Sequence, residues 1–521
     1  MVKRDAAMKK LPIGIQSFEA IRSEDHYYVD KTSFVKKLAD AGKYYFLSRP
    51  RRFGKSLFLD TLHQAFLGKK TLFKGLYLEN HWKWDTSHPV IHISFGSGVF
   101  RSPEDLSLKM ESILMDIREE HGISYEKRSP NDRFMEAIVR ISRKTEKKVV
   151  VLIDEYDKPI LDRIHDQAMA SLMREELKNF YAVLKDADAH LKFVFITGVS
   201  KFSKVSLFSG LNHLQDITLN DAYATLCGYT EEELHQVFSD RMQGLDPENL
   251  RSWYNGYSWL GEKVYNPFAI LNALQTRQIR NYWFETATPS FLIAILKKNN
   301  FHSFDMENVQ ATSAILDSFD IDLISPETLL FQTGYLTIKG VRQIGLLTQY
   351  TLGYPNMEVK SALNDSLTIY FIDAIRPRET SRAPLYESLL KGDPDILRDH
   401  FHALLAAIPH DWYRKNNIHA YEGHYASVFY SYLASMGLDI TPEERTNKGG
   451  IDLSLRMEDK VYLFEFKMAE DARAAEAALE QIRNRGYHVK YKAEGKKIYA
   501  IGMAFSGKER NLSGFCWEIL P

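Results

Sequence analysis

The chain has 521 residues, enough for about three compact domains of ordinary size. Its 67 Lys and Arg residues balance 68 Asp and Glu residues, so no whole-chain charge attracts nucleic acid and any such contact must be local. Two lone cysteines exclude a disulfide framework and a cysteine zinc site. No apolar run could span a bilayer and the charged N-terminus does not resemble a signal peptide, so we expect a cytoplasmic protein without a membrane partner.

The first part of the chain alternates between strand and helix patterns. Short aliphatic or aromatic runs predict strands, and apolar residues three or four positions apart predict helices between them. This alternation predicts an α/β fold with a parallel sheet covered on both faces. The predicted strands are 43–48, 90–95, 149–153 and 191–197, and the predicted helices are 55–66, 102–120, 133–144 and 169–184.

After about residue 220 the pattern changes. Short helices are predicted at 231–242, 247–253, 267–275 and 392–405, with strand-like pieces at 335–339 and 346–352. From residue 419 the order is helix, strand pair, helix and strand, at 421–436, 450–455, 460–467, 472–485 and 497–504. We therefore predict three domains, 1–222, 223–395 and 396–521, with no nameable chemistry in region 277–395.

A predicted strand, a tight turn and a predicted helix surround the segment Arg49-Pro50-Arg51-Arg52-Phe53-Gly54-Lys55-Ser56. Backbone N–H groups and the helix dipole attract phosphate at such a turn. Lys55 would reach the β- and γ-phosphates of ATP, Ser56 would bind Mg²⁺, and Gly54 would let the backbone approach closely. The consensus loop begins with glycine where this chain has Arg49, so the turn must form without that residue's freedom.

An acidic strand end supplies the second half of this site. The aliphatic run 149–153 leads into Asp154 and Glu155, which places both carboxylates at the sheet edge where ligands bind. Asp154 would hold Mg²⁺ and Glu155 would polarise an attacking water. The predicted strand 90–95 lies between the two motif strands in sequence and indicates the subclass in which one strand separates them. In that subclass a polar residue at the end of the next strand, Thr197 or Ser200, senses the γ-phosphate, with strand-end capping as the alternative. The predicted nucleotide-binding residues are Arg51, Arg52, Phe53, Gly54, Lys55, Ser56, Asp154 and Thr197.

These motifs resemble a prokaryotic AAA-ATPase-like family related to the STAND and archaeal AAA ATPases. The resemblance covers residues 9–275 and rests on segments 28–32 (YVDKT), 46–56, 152–159 (LIDEYDKP) and 265–268 (YNPF). It implies that segment 28–32 lies near the nucleotide base and that a helical lid begins at Tyr265-Asn266-Pro267. It also implies that Arg49 is a family variant of the loop.

The last part of the chain carries a second group of charged residues. Residues two apart in a strand share a face, so Glu465 and Lys467 point the same way, and a hairpin around 457–459 would bring Asp452 beside them. Carboxylates suit Mg²⁺ or Mn²⁺, and a neighbouring lysine can orient a water for attack on a phosphodiester. Charge alternation on a solvated strand face is the alternative interpretation.

The order of these elements resembles the PD-(D/E)XK nuclease superfamily. By this resemblance Asp452 and Glu465 are metal ligands, Lys467 is catalytic, Glu422 assists the metal site and Gln481 supports it. The predicted fold class is therefore an α/β chain with a P-loop NTPase domain of the ASCE type, a helical lid and mixed middle region, and a restriction-endonuclease-like α/β domain.

Two predicted sites in one chain indicate an ATP-binding and ATP-hydrolysing protein joined to a Mg²⁺- or Mn²⁺-dependent nuclease-fold domain acting on DNA in preference to RNA. The basic residues in segment 483–497 would contact the phosphate backbone or form a solvated face. The alternative is a nucleotide-dependent switch whose C-terminal domain binds nucleic acid or a protein without cleavage. A third hypothesis is an inactive C-terminal scaffold, and the oligomeric state stays open.

Overall fold

The structure, a computed structural model, describes residues 8–201, 213–284, 306–313, 316, 325–372, 375–406, 422–446 and 449–521, with the backbone alone at 370–372, 375–381, 422–424, 445–446 and 493. The chain forms two compact units. Unit 1 is drawn from residues 1–292 and 310–356, and unit 2 from residues 293–309 and 357–521. The division into three domains stays a prediction. Within the described ranges, no helix has the length and hydropathy to cross a membrane.

A parallel five-stranded sheet forms the centre of unit 1. Its strands are β1 (Tyr44–Ser48), β2 (Val90–Ser94), β3 (Val149–Asp154), β4 (Leu191–Gly198) and β5 (Gln215–Asp216). The order β2-β3-β4-β1-β5 places one strand, β4, between the two motif strands β1 and β3, which confirms the predicted P-loop arrangement. Strand β2, which lies between them in sequence, is at the edge of the sheet. Every residue of β1 and β3 is buried, as expected of parallel strands covered on both faces.

Helices surround this sheet, and several begin at a sequence signal. Thr230 and Glu233 form a reciprocal capping box at the start of the helix 231–242. Asn266 caps the predicted lid helix by accepting from the N–H of Ala269. The helices of this part are α1 (Phe18–Ser23), α2 (Thr32–Ala41), α3 (Lys55–Phe66), α4 (Pro103–His121), α5 (Pro130–Thr145), α6 (Lys158–Leu161), α7 (Gln167–Asp186), α8 (Glu231–Met242), α9 (Pro247–Tyr254) and α10 (Pro267–Thr276).

A smaller element with an antiparallel hairpin follows, and all of it except Val309 lies in unit 1. It contains β6 (Val309–Thr312), α11 (Pro326–Thr333) and the hairpin strands β7 (Thr337–Ile344) and β8 (Leu347–Gly353), with sheet order β6-β8-β7. The strand-like pieces predicted at 335–339 and 346–352 are thus confirmed as the two strands of the hairpin, although each observed strand begins and ends one or more residues later. Strand β6 was missed because four residues carry too little alternation to be recognised.

Unit 2 contains the helices α12 (Met357–Ile372), α13 (Ile375–Lys391), α14 (Pro394–Ala406), α15 (Glu422–Ser435) and α16 (Arg473–Arg485). Its sheet contains β9 (Asp439–Thr446), β10 (Gly449–Met457), β11 (Lys460–Met468), β12 (Lys497–Ser506) and β13 (Asn511–Leu520), in the order β13-β12-β11-β10-β9. Only β11 and β12 pair in parallel, and α16 lies between them in the chain. Prediction missed both edge strands, because β9 is polar along its length and the residues of β13 are mostly half-buried.

The two faces of this sheet carry separate hydrophobic clusters. Phe464 and Phe466 belong to one cluster, which also contains Phe429 of α15. Leu463 belongs to the other, with Leu479 of α16. This alternation agrees with the predicted orientation of β11, in which Glu465 and Lys467 share the face of Leu463.

Candidate functional site

The phosphate loop, residues 49–54, connects β1 to α3. Arg52 and Gly54 adopt left-handed backbone conformations, with φ of 67° and 89°. Gly54 is the residue before α3 and has no side chain that could cap the helix. The first N–H groups of α3 are therefore available to an anion, which the positive end of the helix dipole also favours.

Arg49 stands where the consensus loop has glycine, and its side chain is fully buried. Its Nη1 donates to the carbonyl oxygens of Ser48 and Thr218, both at 2.9 Å, and its Nη2 to that of Tyr223 at 3.2 Å. The guanidinium carbon lies 4.2 Å from the centre of the Trp259 ring. Burial lowers the pKa of Arg49 to about 10. Arg49 therefore ties the start of the loop to the segment that follows β5.

We expect the substitution Arg49→Gly to destabilise unit 1, although it restores the consensus glycine. It removes three hydrogen bonds from a charged donor and leaves a cavity, which together cost about 3 kcal/mol of unfolding free energy. Chemical denaturation measures this loss. Arg128→Gly, at an exposed loop position, is the control and should change stability little. Equal stability of Arg49→Gly and the wild type would contradict the anchoring role.

Behind the loop, the carboxylate of Asp154 joins two other elements. Its Oδ2 accepts a hydrogen bond from the Ser56 hydroxyl at 2.5 Å, and its Oδ1 accepts one from the Thr197 hydroxyl at 2.6 Å. Lys55 Nζ donates to the carbonyl oxygens of residues 49 and 50, each at 2.9 Å. A hydroxyl and a carboxylate in contact are donors that fit Mg²⁺. Thr197 was predicted to sense the γ-phosphate, and in the structure its hydroxyl donates to the Asp154 carboxylate.

Glu155 follows with a left-handed backbone, φ 50°, and lines the pocket beside the loop. Burial raises the pKa of Glu155, and the positive charges of Lys55 and Arg51 partly offset that increase. Ser200, the second predicted γ-phosphate sensor, instead bonds Asp157 through its backbone N–H at 2.6 Å and through its hydroxyl. Ser200 is therefore part of the capping of β4, the alternative stated for it.

A pocket of about 370 Å³ lies beside the phosphate loop. Its polar lining is formed by Arg51, Arg52, Lys55, Ser56 and Glu155. Much of the remaining lining is aromatic or aliphatic, and includes Ile15, Tyr28, Val29, Tyr229, Phe268 and Leu271. A planar apolar base fits such a lining, and phosphates fit the loop. The presence of Tyr28, Val29 and Lys31 in the wall agrees with the role that the family resemblance implies for segment 28–32.

Aromatic residues just before the predicted lid, and one residue of the lid itself, contact the phosphate loop directly. The ring of Phe53 lies 4.7 Å from that of Tyr257 and 5.4 Å from that of Trp259. The Arg52 guanidinium lies 4.9 Å from the ring centre of Phe268, in the first turn of α10. Tyr257, Trp259 and Phe268 therefore support the loop through its side chains at positions 52 and 53.

In unit 2, the hairpin β10–β11 brings the predicted metal ligands together. The ladder between the two strands ends at the pair of Leu453 and Phe464, so Asp452 lies just beyond that end, close enough to Glu465 for its charge to act on it. Asp452 Oδ2 accepts a hydrogen bond from the backbone N–H of Phe466 at 2.7 Å. The tight turn after Met457 agrees with the predicted hairpin. Two carboxylates therefore lie side by side on neighbouring strands.

The carboxylate of Glu465 is almost fully buried, with 1% of the residue exposed. Its Oε1 accepts hydrogen bonds from the side-chain amide of Gln481 and from Lys467 Nζ, the latter at 3.4 Å. Its Oε2 is buried and has no hydrogen-bond partner among the described residues. Burial and the neighbouring charge of Asp452 raise the pKa of Glu465 to about 7, and Lys467 partly offsets this. An unsatisfied carboxylate oxygen beside a second carboxylate fits a divalent cation.

Other predicted contacts of this domain have different outcomes. Glu422 begins α15, but its side chain lies outside the described residues, so its metal-site role stays a prediction. Arg483 forms an ion pair with Glu518, and Lys490 forms one with Glu444. These two basic residues have partners within the domain, which favours the structural interpretation for them over contact with a nucleic-acid backbone.

The two sites define a P-loop ATPase-like domain joined to a nuclease-fold domain, and comparison with known proteins agrees. The family described as predicted AAA-ATPase matches residues 12–208, and the PD-(D/E)XK nuclease superfamily matches residues 420–514. The chain is 48% identical over 513 residues to an Azotobacter chroococcum mcd 1 protein called "Uncharacterized protein in vnfD 5'region", covering 98% of this chain and 99% of the relative. The chain belongs to the same family as that protein, and its own sequence carries a predicted AAA-ATPase domain and a C-terminal PD-(D/E)XK nuclease superfamily domain.

Sequence reasoning missed some of the pocket wall. Pro12, Gly14 and Ile15 line the pocket, but a loop segment has no periodic pattern that could place it there. A partly buried ion pair between Lys31 and Glu233, at 2.6 Å, was also not predicted. The capping box that ends in Glu233 was a readable signal for that glutamate's position.

Proposed function

We propose that unit 1 binds and hydrolyses ATP with Mg²⁺, and that unit 2 is a Mg²⁺- or Mn²⁺-dependent nuclease acting on DNA. The buried, unpartnered Oε2 of Glu465 beside Asp452 is the observation that carries the nuclease assignment. We also propose a cytoplasmic location, because the two cysteines, Cys227 and Cys516, are both free.

In the proposed ATPase site, the N–H groups at the start of α3 and the Lys55 ammonium bind the phosphates. Ser56 and Asp154 would hold Mg²⁺, which supplies positive charge next to the phosphates. Thr197 orients the Asp154 carboxylate through the hydrogen bond of 2.6 Å. Glu155, the acidic residue facing the pocket, orients and polarises the attacking water.

The substitution Glu155→Gln tests this assignment. We expect it to lower the ATP turnover rate by at least about a hundredfold, because a positioned general base contributes roughly that factor or more. ATP affinity should change little, since the amide keeps the shape of the side chain. Phosphate release measures turnover, and calorimetric titration measures affinity. Unchanged turnover would remove Glu155 from the mechanism.

In the proposed nuclease site, Asp452 and Glu465 would hold the divalent cation, which offsets the negative charge that develops on the phosphodiester. Lys467 shares the face of Glu465 and orients the attacking water. Gln481 holds the Glu465 side chain in place through its amide. The carboxylate of Glu465 must be ionised to hold the cation, and the cation's charge favours that form.

Cleavage of DNA is the direct test. Purified full-length protein is incubated with plasmid and linear DNA in Mg²⁺ or Mn²⁺, with and without ATP, and in parallel with RNA. We expect the wild type to cleave DNA and Asp452→Ala to leave it intact. Asp459→Ala, in the exposed turn of the same hairpin, is the matched control and should cleave like the wild type.

Three outcomes would change the proposal. If wild type and Asp452→Ala leave DNA equally intact under all conditions, the nuclease half fails. If the protein cleaves RNA but not DNA, the proposed substrate is RNA instead of DNA. Tight nucleotide retention without turnover would favour the switch mechanism, in which the nucleotide controls binding rather than cleavage.

A further inference from the structure

The hairpin β7–β8 of unit 1 has an exposed apolar tip that neither proposed site uses. Leu346 is 100% exposed, Leu347 is 62%, Val341 is 53% and Ile344 is 42%. Scattered apolar side chains on a surface need no explanation, but Ile344, Leu346 and Leu347 lie together at the tip and form a patch, whereas Val341 lies on the other face of the hairpin. Such a patch marks a contact surface.

The pairing of the hairpin gives this patch a defined face. Arg342 pairs with Gln349, and Ile344 pairs with Leu347. Side chains alternate along a strand, so these four share one face, with a guanidinium and an amide on one rung and two aliphatic side chains on the next. On the opposite face, the hydroxyl of Thr348 donates to Gln343 Oε1 at 3.0 Å, so those polar groups are engaged within the hairpin.

The charged residues within the hairpin have a single sign. The sequence contains no Asp or Glu between Glu327 and Glu358, whereas the hairpin carries Lys339 and Arg342. No carboxylate of the described residues forms an ion pair with Arg342. If a second copy of this chain packed on this face in the same way, the two Arg342 side chains would meet, and the hairpin has no acidic residue to offset their charges. A polyanion is the partner that this charge complements.

We propose that the β7–β8 hairpin is a DNA-binding element that enters a groove of duplex DNA. Arg342 contacts phosphate, Gln349 adds a neutral hydrogen-bonding group, and Ile344, Leu346 and Leu347 contact sugars and base edges in the groove. Apolar side chains at the tip of a binding element insert in this way in proteins that bind the minor groove. The inference extends the proposed action on DNA, because it assigns unit 1 a contact independent of the carboxylates of unit 2.

The test is the binding of a fluorescein-labelled duplex to full-length protein in EDTA, which prevents cleavage. We expect Arg342→Glu to weaken binding by about tenfold and Leu346→Ser by about threefold or more, as for loss of one phosphate contact and one apolar contact. Arg128→Glu and Leu108→Ser, at exposed positions elsewhere in unit 1, are the matched controls and should bind like the wild type. All four variants should unfold at the wild-type temperature.

Wild-type affinity in both hairpin variants would overturn this inference and leave the nuclease proposal standing, because that proposal is tested by cleavage. Binding by neither wild type nor variants would also overturn it. Two further measurements address other partners. If the wild type forms dimers and Leu346→Ser does not, the hairpin contacts a second copy of the chain instead. If Leu346→Ser loses binding to anionic lipid vesicles but keeps DNA binding, the hairpin contacts a membrane instead.

Discussion

Lys55→Ala is expected to lower the affinity for ATP by about a hundredfold, because it removes a charge-assisted hydrogen bond worth roughly 2–3 kcal/mol to the phosphates. Lys55 is buried, and burial lowers its pKa. Its ammonium is held by two loop carbonyl oxygens that a phosphate would supplement or replace. A desolvated ammonium has a stronger interaction with phosphate than one in water. Calorimetric titration with ATP and Mg²⁺ measures the change.

The control for this variant is Lys69→Ala, an exposed lysine just beyond the other end of α3. ATP should raise the unfolding temperature of the wild type and of Lys69→Ala, but not of Lys55→Ala, because only a bound ligand stabilises the folded state. The unfolding temperature without ATP separates lost binding from lost folding. Near wild-type affinity in Lys55→Ala would show that the phosphate-loop assignment is wrong.

Glu465→Gln is expected to have opposite effects on activity and on stability. DNA cleavage should fall by at least about a hundredfold, because an amide cannot replace a carboxylate ligand of a hard cation. In metal-free buffer the same variant should be more stable than the wild type. The wild type holds a buried carboxylate with one unpartnered oxygen, and the amide removes that charge.

The raised pKa of Glu465 determines the sign of this stability change and how it depends on pH. The pKa of Glu465 rises from the ordinary 4.5 to about 7 in the folded protein, so ionisation costs the folded state free energy. That cost is absent well below pH 4.5, grows as the pH rises and is complete above about 7, where it reaches roughly 3 kcal/mol at 1.4 kcal/mol per pKa unit. The stability advantage of Glu465→Gln should therefore widen with pH.

Denaturant unfolding in EDTA, measured from about pH 5.5 to about pH 8, gives this difference directly. Glu480→Gln, at an exposed position on α16, is the control and should show no such trend. Added Mg²⁺ or Mn²⁺ should stabilise the wild type and leave Glu465→Gln unaffected. A metal-free variant less stable than the wild type at every pH would mean that Glu465 is a structural residue.

Local signals carried much of the prediction. Helix 55–66 was predicted with its observed bounds, because its apolar spacing and the glycine before it act over a few residues. Strand β3 and its acidic end were equally readable, since a buried parallel strand is a continuous apolar run. The same holds for Glu465 and Lys467 on one face of β11, because side chains in a strand alternate with a period of two.

The sequence alone therefore determined the two motif sites, the P-loop class of the first domain and the nuclease-like order of elements at the end. Only the tertiary structure decided that β4 is the strand between the motif strands, that the Asp452 carboxylate accepts from the backbone N–H of Phe466 and that Arg49 turns inward onto Thr218 and Tyr223. The physical reason is the separation in sequence over which each interaction acts. Backbone propensity and periodicity act between neighbours along the chain, whereas strand order, register and the partners of a buried charge depend on residues far apart in sequence.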